Sequence, residues 1–102
     1  MLYMGNNIVM ITINNDGYVT SLDRASKIAV YDADKHVVIE ELNNLYKDGF
    51  WILEEVFDKY DPAIIITGEI SEELAYDIEE NGVKVYVVKP RRIDDLIREL
   101  FL

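Results

Sequence analysis

Apolar residues occur along the chain in short continuous runs and in helical spacing. The first run, Ile8–Ile13, is β-branched and almost unbroken, which is typical of a strand buried on both faces. Two further runs, Lys27–Asp32 and Lys35–Leu42, are separated by the turn Ala33–Asp34, and together they predict a hairpin. The first part of the chain is therefore expected to form three strands joined in an antiparallel meander.

Apolar residues at helical spacing predict three helices in the rest of the chain. The helices are expected to begin after Gly49, after the N-cap Ser71 and at Pro90. The first ends at Asp61–Pro62, because the residue before a proline is pushed away from helical geometry. The second ends at Asn81–Gly82, which is a typical helix stop signal.

Two short apolar runs, Ala63–Thr67 and Val83–Val88, separate these helices and predict buried strands. The order of elements is then β-β-β-α-β-α-β-α. Strands that alternate with helices require parallel pairing through right-handed crossovers. The sequence thus predicts an α/β fold of the ribonuclease H-like kind, with a mixed five-stranded sheet and three helices. We expect residues 1–102 to form a single domain.

Composition limits the partners and the location that we expect. Twenty acidic residues against ten basic ones give a formal charge of −10, which repels nucleic-acid phosphates and anionic membrane surfaces. The sequence has no cysteine, which excludes a disulfide framework and cysteine-based zinc or iron–sulfur ligation. No run approaches the roughly 18 apolar residues of a membrane-spanning helix. With no basic N-terminal segment before a long apolar run, the sequence predicts a cytoplasmic protein.

In open α/β sheets, ligands bind beyond the carboxyl ends of the parallel strands. This rule selects three loops, Asn14–Ser26, Thr67–Ser71 and Lys89–Arg92. The third loop holds three of the ten basic residues and lies beside the start of a helix, where backbone N–H groups and the helix dipole favour an anion. The sequence therefore predicts that these loops hold a small anionic ligand.

Five residues from these loops are candidates for ligand binding: Arg24, Gly68, Ser71, Arg91 and Arg92. The arginines would supply positive charge, and Ser71 would supply a hydroxyl group. The alternative is that the basic residues of the third loop only balance an acidic surface, through neighbours such as Asp94 and Asp95.

Residues for catalysis are scarce, and we expect no enzymatic activity. His36 is the single histidine and falls inside the predicted third strand, where a histidine is usually structural. Thr20 and Ser21 have no nearby base in the sequence and no nucleophile-elbow motif. Gly68 alone is not a phosphate-binding signature, since the chain has neither GxGxxG nor GxxxxGK[ST].

Two phrases resemble the dinitrogenase iron-molybdenum cofactor-binding family. Residues 64–71 read IIITGEIS, similar to a strand of the family that is followed by the motif Gly-Asn-Ile-Gly. Residues 82–86 read GVKVY, similar to the family's later motif Gly-Ile-x-Val-Tyr. Residues 19–25 read VTSLDRA before a strand that ends in Asp32, similar to its Val-Ser-x-His-Phe-Gly-Arg-Ala phrase. The family histidine is missing, Ser71 replaces the second glycine, and Gly49 alone remains of a glycine-rich stretch.

The resemblance implies a non-catalytic binding domain similar to accessory proteins that carry metalloclusters. The cofactor is unknown, and an iron-molybdenum or iron–sulfur cluster is implied by the resemblance alone. No residue is assigned as a metal ligand. The alternative is a degenerate protein-interaction or regulatory module without a metal ligand, for which Trp51 is the candidate contact residue because it lies off the apolar stripe of its helix. A hydrolytic enzyme is the third hypothesis.

Overall fold

The computed structural model describes residues 7–102. The strands are β1 (Ile8–Ile13), β2 (Lys27–Asp32), β3 (Val37–Asn43), β4 (Ile64–Thr67) and β5 (Lys84–Val87). The helices are α1 (Phe50–Tyr60), α2 (Glu72–Glu80) and α3 (Ile93–Phe101), and one 3₁₀ turn spans Tyr46–Asp48.

The strands form one mixed sheet in the order β3-β2-β1-β4-β5. The meander is antiparallel, since β1 pairs with β2 and β2 pairs with β3 in that sense. The second half is parallel, since β4 pairs with β1 and with β5 in that sense. The prediction of an α/β fold with this element order and a five-stranded mixed sheet is confirmed.

Two predicted boundaries were wrong. His36 was placed inside the third strand, but it lies in the turn before β3 with a φ of 55°. The turn is closed locally, because the Asp32 carboxylate accepts hydrogen bonds from the amides of Asp34 and Lys35. The last helix begins at Ile93 rather than at Pro90, with Arg92 as its N-cap, because the preceding segment pairs with the loop after β1.

The sheet is covered on both faces, which explains why β1 is apolar except for Thr12. On one face, Met10 and Ile65 pack in a cluster with side chains of α1 and α2 that include Leu53 and Ile78. On the other face, strand residues pack in a second cluster around Leu96 of α3. Within residues 7–102, no helix is long and apolar enough to cross a membrane.

Candidate functional site

The loop after β1 is hydrogen-bonded to both of the other predicted site loops. The Gly68 amide donates to the Thr20 carbonyl at 3.0 Å, which joins it to the loop after β4. The Val19 amide donates to the Arg91 carbonyl at 2.8 Å, which joins it to the segment after β5. The three predicted site loops therefore meet, and adjacent residues of the first loop hold the other two.

Two buried threonines support this junction from below. Thr12 near the end of β1 and Thr67 at the end of β4 are both fully buried, and their hydroxyl oxygens lie 3.0 Å apart. The Thr12 hydroxyl also donates to the Thr20 carbonyl at 2.6 Å. Away from water, each such bond would be costly to lose, so the pair fixes the position of the first loop on the sheet.

Gly68 is required by the close approach of two loops. A Cβ atom at this position would lie 2.7 Å from the Ser21 nitrogen and 2.8 Å from the Thr20 carbonyl carbon. These neighbours are backbone atoms, so they could not move aside without disturbing the loop. The glycine therefore allows the first and second loops to pack together, and its role needs no ligand.

The loops enclose a recess of about 690 Å³, within the size range of ligand pockets, roughly 300 to 1,000 Å³. Of the predicted site residues, Arg24, Gly68 and Ser71 line it. The complete lining comes from all three loops and the end of β5: Thr20, Ser21, Asp23, Arg24, Gly68, Glu69, Ile70, Ser71, Val87, Val88, Lys89 and Pro90.

Arg91 and Arg92 do not line this recess, in contrast to their predicted placement. The Arg91 guanidinium forms an ion pair with Glu99 of α3. The Arg92 guanidinium lies 5.5 Å from the centre of the Tyr18 ring. Pairing of this segment with residues 17–19 fixes its backbone, and both side chains then make other contacts on the molecule.

Three charged residues of the recess were missed by the sequence analysis: Asp23, Glu69 and Lys89. Lys89 belongs to the third loop, and its position directly after the predicted strand Val83–Val88 was the available signal, because residues just beyond a strand lie near the sheet edge. Asp23 and Glu69 were not among the predicted site residues, because an anionic ligand was expected and acidic side chains would repel it.

The recess carries charges of both signs that are free of ion pairs. Arg24 and Lys89 contribute two cations, and Asp23 and Glu69 contribute two carboxylates. Among residues 7–102, the ion pairs join Lys27 with Glu41, Arg91 with Glu99, and Arg98 with Asp95. The four charged side chains of the recess are exposed to solvent and are therefore available to a ligand.

Ser71 has a structural role beside its place in the recess. Its hydroxyl oxygen accepts a hydrogen bond from the Leu74 amide at 3.2 Å and so caps α2. The hydroxyl proton is not used by that bond and can be donated to a ligand. The cap therefore places a hydrogen-bond donor at the N-terminus of α2, next to the recess.

The pKa of the Tyr46 phenol is affected by acidic groups near this end of the molecule. Burial raises the pKa of Tyr46, and the carboxylates of Asp23, Asp77 and Glu73 raise it further. The phenol is therefore neutral at physiological pH. Carboxylates of both the first loop and α2 contribute to the negative potential at this phenol.

The side chains of the recess do not fit direct ligation of an iron–sulfur or iron-molybdenum cluster. Such metals are bound through thiolate and imidazole groups, whereas the recess offers hydroxyl and carboxylate oxygens. His36 lies at the opposite end of the sheet, because Asp32 before its turn pairs with Ile8 at the start of β1. Within residues 7–102, no three His, Cys, Asp or Glu side chains are grouped to hold a metal ion.

Comparison with known proteins shows the fold but no family. No protein-family model matches the sequence, and no curated protein matches it. The structure is similar to the crystal structure of PH0822, with a TM-score of 0.75 and 19% identity over 92% of this chain and 89% of that one. It is also similar to the apo form of the orange protein from Desulfovibrio gigas, with a TM-score of 0.72 and 15% identity over 95% of this chain and 88% of that one. At these identities the likeness establishes a shared fold alone.

Proposed function

We propose that this protein is a non-catalytic binding domain whose recess holds a small ligand that carries an anionic group. The observation that carries the proposal is the recess itself, which lies beyond the carboxyl ends of three parallel strands and is formed by three mutually hydrogen-bonded loops. Arg24 and Lys89 line it, and neither forms an ion pair with any residue of the described part of the chain. An anionic group between them would gain charge-assisted hydrogen bonds.

The chemistry of the recess supports binding rather than catalysis. Its hydroxyl groups include those of Ser21 and Ser71, and neither forms a hydrogen bond with a carboxylate or imidazole side chain within the described residues. A serine nucleophile needs such a base within reach to take its proton. The single histidine lies at the far end of the sheet and cannot supply one.

The structural neighbours support a ligand-carrying role for this architecture. The similar orange protein structure is an apo form, a state that is defined by contrast with a ligand-bound one. For the present chain, a metallocluster would have to be held by Arg24, Lys89 and hydroxyl groups, because cysteine is absent from the sequence. A small molecule that carries an anionic group makes fewer demands on these residues, and it is the ligand that we favour.

A thermal-shift screen with phosphate and simple carboxylates tests the proposal, since a ligand that binds only the folded state raises its melting temperature. Stabilisation is expected for the wild type and should be lost in Arg24→Gln and in Lys89→Gln. Arg91→Gln is the matched control, because it removes an arginine that lies outside the recess, and it should respond as the wild type does. Absence of stabilisation by any anion, or equal loss in the control, would contradict the proposal. Stable visible absorbance after anaerobic incubation with iron, sulfide and molybdate would identify a cluster carrier instead.

A second candidate function is a protein-binding module that uses the outer surface of α1 and α2. Residues 48–82 hold eleven of the twenty acidic residues and one of the ten basic residues, so the whole net charge of −10 lies in this segment. Trp51 of α1 and Tyr76 of α2 are 59% and 63% exposed on helices whose opposite sides cover the sheet. Exposed aromatic residues amid acidic ones suit a basic protein surface.

The two candidates predict different results from one affinity experiment. Immobilised wild-type protein should capture a single basic protein at physiological salt if the protein-binding hypothesis holds. Trp51→Ala combined with Tyr76→Ala should abolish that capture, while Arg24→Gln should not change it. Stabilisation by anions that depends on Arg24 would instead support the recess.

A further inference from the structure

We infer that the ligand of the recess is a zwitterion with an apolar side chain, of the class of α-amino acids, held between the cations Arg24 and Lys89 and the carboxylates Asp23 and Glu69. This inference rests on the proposed function and specifies its ligand. The basis is the juxtaposition, in one recess, of unpaired charges of both signs with apolar side chains.

The charges that line the recess are balanced. The chain has a formal charge of −10, yet the recess is lined by two cations and two carboxylates, so its formal charge is zero. A simple anion would be attracted by Arg24 and Lys89 and repelled by Asp23 and Glu69. A simple cation would be attracted by the two carboxylates and repelled by the two cationic side chains. A ligand with one carboxylate and one ammonium group satisfies both sets.

The four charges come from three loops. Asp23 and Arg24 are neighbours in the loop after β1, while Glu69 follows β4 and Lys89 follows β5. None of the four forms an ion pair with another residue of the described chain, 7–102. The hydroxyl of Ser71 adds a donor to the same recess. Groups of both signs are therefore available to a bound molecule.

Apolar residues complete the lining and favour a ligand with an apolar part. They are Ile70, Val87, Val88 and Pro90. Val87 is 57% exposed, although it is a large aliphatic residue at the end of a strand. Ile70 and Val88 pack against the two core clusters, so these apolar walls are anchored in the fold. An aliphatic or aromatic side chain placed here would remove Val87 from water.

The test compares ligands that share an apolar part and differ only in charge. L-leucine is matched with 4-methylpentanoate, which lacks the ammonium group, and with 3-methylbutylamine, which lacks the carboxylate. L-phenylalanine is matched in the same way with 3-phenylpropanoate and 2-phenylethylamine. Isothermal titration calorimetry should show that at least one amino acid binds about tenfold or more tightly than both of its matched analogues.

Variants of the charged residues show which residue binds the ammonium group of the ligand and which binds its carboxylate. Glu69→Gln should weaken amino-acid binding and leave 4-methylpentanoate binding unchanged or tighter. Lys89→Gln should weaken the binding of both. Arg91→Gln, which lies outside the recess, should change neither. Melting temperatures measured without ligand show whether each variant is folded.

The outcomes separate this inference from the proposed function. Equal binding of each amino acid and its deaminated acid overturns the zwitterion inference while the anion-binding function stands. If amino acids do not bind but phosphate binds in a way that depends on Arg24, the zwitterion inference is likewise overturned and the anion-binding function stands. If no amino acid, carboxylate or phosphate binds to the recess, both the inference and the proposed function are wrong.

Discussion

The two ends of the sheet are built in different ways. At the recess end, loops that are far apart in sequence hold one another, as in the bond between the Gly68 amide and the Thr20 carbonyl. At the opposite end, turns are closed within a few residues, as where the Asp32 carboxylate accepts from the Asp34 amide. Bonds between distant residues occur at both ends, since the Ala33 amide donates to the Asn7 carbonyl, but at the recess end they join whole loops, and these loops enclose the recess.

Two glycines make the contrast concrete. At the recess end, Gly68 has backbone atoms of the first loop within 3 Å of where a Cβ would lie. At the opposite end, Gly82 has a φ of +82° after α2, and a Cβ there would meet nothing within 4 Å. One glycine is therefore required by a neighbouring loop and the other by its own backbone conformation.

The largest expected effect comes from adding a methyl group at these two positions. Gly68→Ala forces the first and second loops apart and should lower the free energy of unfolding by about 3 kcal/mol, at the upper end of overpacking costs. Gly82→Ala adds only the cost of a left-handed backbone, about 1 kcal/mol. Urea unfolding measures both, and an equal loss in the two variants would remove the distinction between the ends.

Removing the buried hydroxyl of Thr12 should have the next largest effect. Thr12→Val loses the 2.6 Å bond to the Thr20 carbonyl and should cost about 1 to 2 kcal/mol. Thr67→Val is the matched control and should cost less, because its own contact with the Thr20 carbonyl is long, at 3.4 Å. Amide hydrogen exchange at Gly68 should also rise in Thr12→Val. Unchanged exchange there would show that the threonine does not hold the loop.

The helix cap at the recess should contribute a moderate amount. Ser71→Ala removes the acceptor for the Leu74 amide and should cost about 1 kcal/mol in thermal or urea unfolding. Ser71→Asp restores an acceptor and should recover most of that stability, while its new negative charge weakens binding of an anionic group in the recess. Recovery of stability without weaker binding would place the ligand away from Ser71.

A smaller effect is expected outside the recess. Arg91→Gln removes an ion pair with Glu99, whose side chain is 60% exposed, and should change the free energy of unfolding by less than about 0.5 kcal/mol. Lys27→Gln, which removes the exposed pair with Glu41, is a suitable comparison. A loss above about 1 kcal/mol in Arg91→Gln alone would mean that this side chain stabilises the junction of the loops.

The smallest effect at neutral pH concerns two tyrosines, one near each end. Burial and the Asp32 carboxylate raise the pKa of Tyr31, and burial and nearby carboxylates raise that of Tyr46. Each phenol holds its proton more tightly in the folded state, so stability is unaffected at pH 7 and falls as the pH rises above about 10. Ultraviolet titration should show late ionisation that Tyr31→Phe and Tyr46→Phe each reduce. Ionisation of all tyrosines at the ordinary pKa would contradict their burial.

The sequence predicts the fold because the signals for its elements are local. The apolar run at Ile8–Ile13, the cap at Ser71 and the stop at Asn81–Gly82 each act within a few residues. His36 was misplaced because the predicted strand Lys35–Leu42 included Lys35 and His36, two polar residues that belong to the turn that Asp32 closes. Local turn chemistry there outweighed strand propensity.

The recess was predicted in position and only partly in composition. Strand direction brings the three loops together, and of the predicted residues Arg24, Gly68 and Ser71 line the recess. Arg91 and Arg92 do not line it, because the side-chain directions in that segment depend on its pairing with the loop after β1. Such pairing joins residues more than seventy positions apart, and the sequence carries no local signal for it.

Nuclear magnetic resonance of isotope-labelled protein titrated with L-phenylalanine tests the central claim most directly. The account predicts that amide shifts will change together at Thr20, Ser21, Gly68, Ile70 and Lys89, which belong to three different loops. Amides of Trp51 and Tyr76 on the outer helical surface should not respond. Shifts confined to that helical surface, or to a single loop, would contradict a binding recess formed by all three.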